Sequence, residues 1–103
     1  MSTAITPREI EVQAAYGAGT VKIHISKIGT VSVDSTNTVV RGKVECFELQ
    51  IKQRIDPSLG YFAFIGCECD ISVMVFLTLN GADAIHAAMP ELAFTDERAE
   101  VQP

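Results

Sequence analysis

The chain has 103 residues, of which 48% are apolar and 20% charged, with a net charge of −5. That composition excludes wholesale disorder and suits one domain, which at this length buries roughly 65% of its unfolded surface without a disulfide or a structural metal. The acidity is lopsided: residues 1–56 hold seven Lys/Arg against six Asp/Glu, and residues 57–103 hold one against seven. Such a field repels phosphate backbones, which argues against direct nucleic-acid binding and favours a partner with a basic surface.

The opening residues show neither the basic region nor the apolar stretch of a secretory signal, and the longest apolar run, "VMVFL", falls far short of the ~20 residues that span a bilayer. Thr6, Pro7 and Glu9 then form a capping box with proline at the first helical position, and Ile5 and Ile10 occupy the staple positions. These signals predict a helix over 7–16 that stops at Gly17, although "EIEVQ" alternates like a strand. "GAGT", residues 17–20, follows that element and lacks a Lys-Ser/Thr ending, so it reads as a linker and not as a phosphate loop.

Beyond it the period is two. "TVKIHIS" and "TVSVD" are half-buried strands separated by a turn at "KIG". In "TVVRGKVECFELQIKQRI" the apolar phase moves from the even positions Val40, Val44 and Cys46 to the odd positions Phe47, Leu49 and Ile51. A bulge at Cys46–Phe47 is the expected cause. "DPSLG" is a turn.

From Tyr61 to Leu79 every odd position is apolar. Nineteen extended residues would reach roughly 60 Å, too far for a domain with a radius of gyration near ~13 Å. The chain must therefore double back. A loop at Glu68-Cys69-Asp70 keeps the odd residues on one face, pairing Cys67 with Ile71 and Ile65 with Val73, and placing Phe64 opposite Met74 and Phe62 opposite Phe76. "NGADAIHAAMP" predicts a second helix, capped by Asn80 and ended by Pro90, with Ala82, Ile85 and Met89 on one face. The expected fold class is α+β: an antiparallel sheet of about five strands with a short N-terminal helix and a C-terminal helix. Residues 1–94 form the single domain, and 95–103 a frayed polar tail.

"GCECD", residues 66–70, is the stretch that most resembles reactive chemistry. Zinc needs about four converging ligands, usually from a Cys-x2-Cys knuckle, which Cys67, Cys69 and the distant Cys46 do not supply. Cys67 and Cys46 read as core thiols, and Cys69 as a loop-tip thiol. Three cysteines without an export signal point to a reduced, cytoplasmic setting. His24 and His86 have no carboxylate or nucleophile at a telling spacing. Arg41, Lys43, Lys52 and Arg54 are interrupted by Glu45 and Glu48, which makes a mixed solvent face. No metal or cofactor is expected.

Phe62, Phe64, Met74 and Phe76 form a second apolar face opposite the odd-phase core. It is covered either by the chain's own helices or by a second copy or target. With the acidic tip Glu68 and Asp70, these residues are the expected partner-binding set. The functional expectation is a small acidic protein-interaction module, an inhibitor or regulator, with nucleic-acid mimicry by its acidic half as the sharper form. It acts away from membranes, and a homodimer is one expected assembly. The alternative is a small-molecule enzyme or binder that uses Cys69 or His24 in a pocket between sheet and helix.

Overall fold

Two four-stranded sheets enclose the core. The computed structural model describes residues 5–36, 38–67 and 70–98, without the side chains of 70–73. Strands β1 (Arg8–Gln13), β2 (Thr20–Ile25), β3 (Thr30–Ser35) and β4 (Val39–Lys43) form an antiparallel meander. The second sheet has the order β7-β6-β5-β8, built from β5 (Phe47–Gln53), β6 (Tyr61–Cys67), β7 (Asp70–Leu77) and β8 (Ala93–Asp96). Its pairs are antiparallel except β5 with β8. Strands β7 and β8 therefore run the same way, and helix α1 (Leu79–Ala88) is the crossover such a pair requires.

Alternate residues build the core. Val21, Ile23 and Ile25 from β2 and Val31 and Val33 from β3 meet Phe47, Leu49 and Ile51 from β5 and Ala63 and Ile65 from β6, all essentially without solvent exposure. Helix α1 adds Ala82 and Ile85, and Met89 follows at its end. At Gly42 the sheets approach so closely that a Cβ would lie 3.2 Å from Cys67 Sγ and 3.3 Å from the Phe47 ring.

The helix expected over 7–16 does not form; those residues are β1, followed by a single 3-10 turn at Ala15–Gly17. A capping box contributes about 1 kcal/mol. Against it stand six residues paired with β2 and an inward row of Ile10 and Val12, both β-branched. Pro7 lies just outside the strand, where its missing N–H costs no ladder bond.

The single sheet of about five strands is replaced by eight strands in two sheets. The phase change at Cys46–Phe47 marks where the chain leaves one sheet for the other. Strand β4 ends at Lys43, a 3-10 turn spans Val44–Cys46, and β5 begins at Phe47. Even residues of β4 and odd residues of β5 face one core from opposite sides.

Over Ala63–Gly66 the hairpin keeps the expected parity but is shifted by two residues; at its turn Cys67 pairs with Asp70 and not Ile71, so Asp70 belongs to β7 and not to the expected three-residue loop. Phe64 pairs with Phe76, Gly66 with Met74, and Ala63 with Leu77, with an irregularity between Gly66 and Cys67 that absorbs the difference. A shift by two preserves both faces, which is why alternation alone could not choose between the registers. The helix cap is Thr78, whose Oγ1 accepts from the Gly81 N–H at 3.0 Å; Asn80 is already helical. Strand β8 crosses the boundary expected between residues 94 and 95.

Two arginines tie distant segments together. Arg8 donates to the carbonyl oxygens of Ala88 and Thr6, each at 2.7 Å, and pairs with Glu91. Arg98 bridges Asp83 of α1 and Asp96 of β8 at 2.6 and 3.0 Å.

Gly42→Val should lower stability by about 1–3 kcal/mol through overpacking, read as a lower denaturant midpoint with an unchanged slope. An unchanged midpoint would contradict the close approach at Gly42. The hydrogen bond from Arg8 holds the Glu91 carboxyl below the usual carboxylate range. Its stabilising contribution is therefore present above the unfolded pKa and is lost as pH falls through the folded one. The melting-temperature gap between the wild type and Glu91→Gln should be open near neutrality and narrow as pH falls through the lowered folded pKa; a gap that stays as wide in acid would contradict the pairing.

Candidate functional site

Ala63, Ile65 and Cys67 of β6 and Val75 and Leu77 of β7 face inward, so Phe62, Phe64, Met74 and Phe76 are left on the outer face of the second sheet. Phe62, Phe64 and Phe76 form one contiguous aromatic group there. Phe62 and Phe64 stack at 5.8 Å between ring centroids, and Phe76 lies 6.2 Å from each. These spacings fall within the range of favourable aromatic pairs. Met74 sits opposite Gly66, which offers no side chain to pack against, and is 51% exposed; Phe76 is 39% exposed. Lys52 and Gln50 of β5 lie across from Phe62 and Phe64 and form a polar flank. Strand β7 is the edge of its sheet. Near its end Leu77 bridges Ala14, and the Thr78 N–H donates to the Gln13 carbonyl.

Two side chains from elsewhere reach this group, and sequence reasoning missed both. Tyr16, 75% exposed, packs edge-on against Phe76 at 6.4 Å. It adopts φ +58°, the left-handed region that a bulky residue enters only at a cost of order 1–3 kcal/mol. Arg54, just beyond β5, lies 5.5 Å over the Phe62 ring, and its Nη1 donates to the Tyr16 hydroxyl at 3.4 Å. Both border a groove of about 220 Å³ walled by Tyr16, Phe62, Phe76, Tyr61, Arg54 and Thr78. The Tyr16 and Phe76 rings also line a second depression of about 200 Å³, which reaches Met74 and Thr38. "GAGT" reads as a linker after a stop at Gly17, and nothing there pointed to a ring laid across another sheet.

The outer face of the first sheet is different in kind. Glu9, His24, Ser32 and Arg41 stand directly opposite one another across β1, β2, β3 and β4, and Glu11, Lys22 and Asp34 form the neighbouring row. His24 lies in a shallow depression of about 380 Å³ with Glu9, Ser32, Asp34 and Arg41. It is on an exposed sheet face, not between sheet and helix, where Ala82 and Ile85 fill the space. A Ser–His–Glu row has the residue types of a nucleophilic triad. A triad, however, needs hydrogen bonds that aim the base and free donors for an oxyanion. No hydrogen bond joins these three side chains among the described residues, and the ladder engages the neighbouring backbone N–H groups.

Glu68 and Cys69 lie outside the described residues, as does the side chain of Asp70, which opens β7. The described acids of the second half that remain have partners within the chain. Asp83 and Asp96 hold Arg98, Glu91 holds Arg8, and Glu97 accepts from the Gln53 N–H at 2.7 Å. Asp56, just before that half, caps the turn at Ser58. Arg41 and Lys43 belong to β4, and Lys52 to β5, so the basic residues read as one strand are divided between two sheets. No group of three or more His, Cys, Asp or Glu residues able to hold a metal occurs among the described residues.

Cys67 is a buried free thiol, as its inward phase implies. Cys46 is not the core thiol expected from the sequence: it is half-buried and disulfide-bonded. Alkylation of the denatured, unreduced chain should therefore modify Cys67 and leave Cys46 unmodified until reductant is added. Labelling of Cys46 without reductant would contradict the disulfide.

Comparison of the chain with family models, with curated proteins and with solved structures finds no match.

Proposed function

We propose that this chain is a protein-interaction module, an inhibitor or regulator that works by binding another protein through the outer face of its second sheet. The supporting observation is the Phe62–Phe64–Phe76 group on a sheet whose inner face already serves the core: Phe62 and Phe64 are half-buried, and Phe76 is exposed with Met74 and Tyr16 beside it. Aromatic residues and methionine are the types enriched in interface centres. Lys52 and Gln50 along one side supply the polar rim that such centres have.

The acidic half contributes less to this reading than its charge suggests. Asp83, Glu91 and Asp96 neutralise arginines of the same chain, so the aromatic face carries the recognition and mimicry of nucleic acid is not favoured. No helix among the described residues is long and apolar enough to cross a membrane. A cytoplasmic setting fits poorly with the disulfide at Cys46, because disulfides persist mainly in oxidising compartments. The interaction reading does not depend on the compartment. A second reading, a binder of small polar molecules, is favoured by the Glu9–His24–Ser32 row and its depression. It ranks below the first because those side chains are not hydrogen-bonded to one another among the described residues.

The test is affinity capture from the source cell with the wild type and with the double variant Met74→Ser, Phe76→Ser, alongside light scattering of both. The reading predicts a protein, or a second copy of the chain, that the wild type retains and the double variant loses. Identical captures and identical masses for the two proteins would contradict it.

A further inference from the structure

The groove beside Tyr16 has a charge character opposite to that of the chain as a whole. The protein carries 13 Asp/Glu and a net charge of −5, yet among the described residues no carboxylate lines this groove and Arg54 does. Among the described residues Arg54 has no acidic partner: its guanidinium donates only to the Tyr16 hydroxyl and rests on the Phe62 ring. The other two arginines near the second sheet and its helix, Arg8 and Arg98, are both paired with carboxylates. Two phenols complete the lining. Tyr16 accepts from Arg54 and keeps its own proton to donate, and Tyr61 makes no hydrogen bond among the described residues.

We infer that this groove binds an acidic side chain of the partner protein lying next to an apolar one, the carboxylate on Arg54 and Tyr16 and the apolar group against Phe62 and Phe76. The inference rests on the proposed interaction face and names the chemistry of its partner. Charge complementarity selects the acid, because an unneutralised guanidinium backed by an aromatic ring is a directional donor for a carboxylate. Size selects a side chain: about 220 Å³ lies below the range of cofactor and drug-sized sites. The donors select a side-chain carboxylate over a chain terminus, since termini are commonly held by clustered backbone N–H groups. Here the backbone N–H of Thr78 already donates to Gln13. The second depression, also lined by the Tyr16 and Phe76 rings, gives a neighbouring residue of the same segment an apolar seat.

The composition of the chain supplies the readout. It has no tryptophan and two tyrosines, Tyr16 and Tyr61, and both line the groove, so intrinsic tyrosine fluorescence reports directly on its occupancy. A phage library of random linear peptides is selected on the wild type, on Arg54→Gln, on Arg54→Lys and on the double variant Met74→Ser, Phe76→Ser. Enriched sequences are then synthesised without tyrosine or tryptophan and titrated by fluorescence. Peptides enriched on the wild type should carry Asp or Glu beside an apolar residue. Replacing that acid by its amide should weaken wild-type binding at least about tenfold, as expected for a charge-assisted hydrogen bond. The same replacement should change binding to Arg54→Gln less than about twofold, with Arg54→Lys in between.

Enrichment of basic peptides, or an acid preference unchanged in Arg54→Gln, would overturn the inference. If such peptides still lose binding to the double variant, the interaction face survives and only the partner chemistry is wrong. Equal selection on the double variant and the wild type, or no enrichment on any of them, would overturn both.

Discussion

Strand parity is the constraint on which the rest of this structure depends. A strand has two faces, and a sandwich core uses one face of each sheet. In the first sheet the unused face carries Glu9, Glu11, Lys22, His24, Asp34 and Arg41, with opposite charges set across from one another. That is an ordinary solvated surface. In the second sheet the unused face carries Phe62, Phe64, Met74 and Phe76. The core cannot take them in, because one residue of slip would expose Ile65 and Val75 in their place. Full burial of a phenylalanine stabilises by about 1.5–3 kcal/mol. The second sheet forgoes part of that gain at Phe76, which is why the face is better read as a surface for binding than as a feature of stability.

Tyr16 connects the fold to that face. The turn at Ala15–Gly17 lies where the end of β1 meets the end of β7 through Ala14 and Leu77, a corner at which the two sheets touch. A residue leaving β1 at this corner is aimed at the outer surface of the other sheet. The left-handed backbone of Tyr16 is the local cost of that geometry, and contacts with Phe76 and Arg54 offset part of it. The result is a ring that lines two depressions, with a cation at its hydroxyl.

Much of this was legible in the sequence, and the failures have identifiable causes. Period-two alternation located β2, β3 and β5, and the unbroken odd phase from Tyr61 to Leu79 required a hairpin with Phe62, Phe64, Met74 and Phe76 sharing one face. At Thr6–Ile10 two local signals conflicted, and a capping motif of about 1 kcal/mol was outweighed by strand pairing that no local window reveals. The phase change at Cys46–Phe47 was a true signal with two physical causes, a bulge or a change of sheet, and only the tertiary arrangement separates them. Hairpin register was undetermined because a two-residue shift, as found over Ala63–Gly66, leaves those side chains on their faces. Tyr16 and Arg54 belong to the site through contacts spanning 60 and 8 residues, to Phe76 and Phe62, and no motif encodes such distances.

Hydroxyl-radical footprinting of the dilute native protein, read residue by residue by mass spectrometry, tests the central claim most directly, since each outward residue has an inward counterpart of the same type. Met74 and Phe76 should oxidise readily in the folded chain, whereas Met89 and Phe47, both fully buried, should stay protected until it unfolds. Protection of Met74 and Phe76 equal to that of Met89 and Phe47 would mean the second sheet has no open aromatic face.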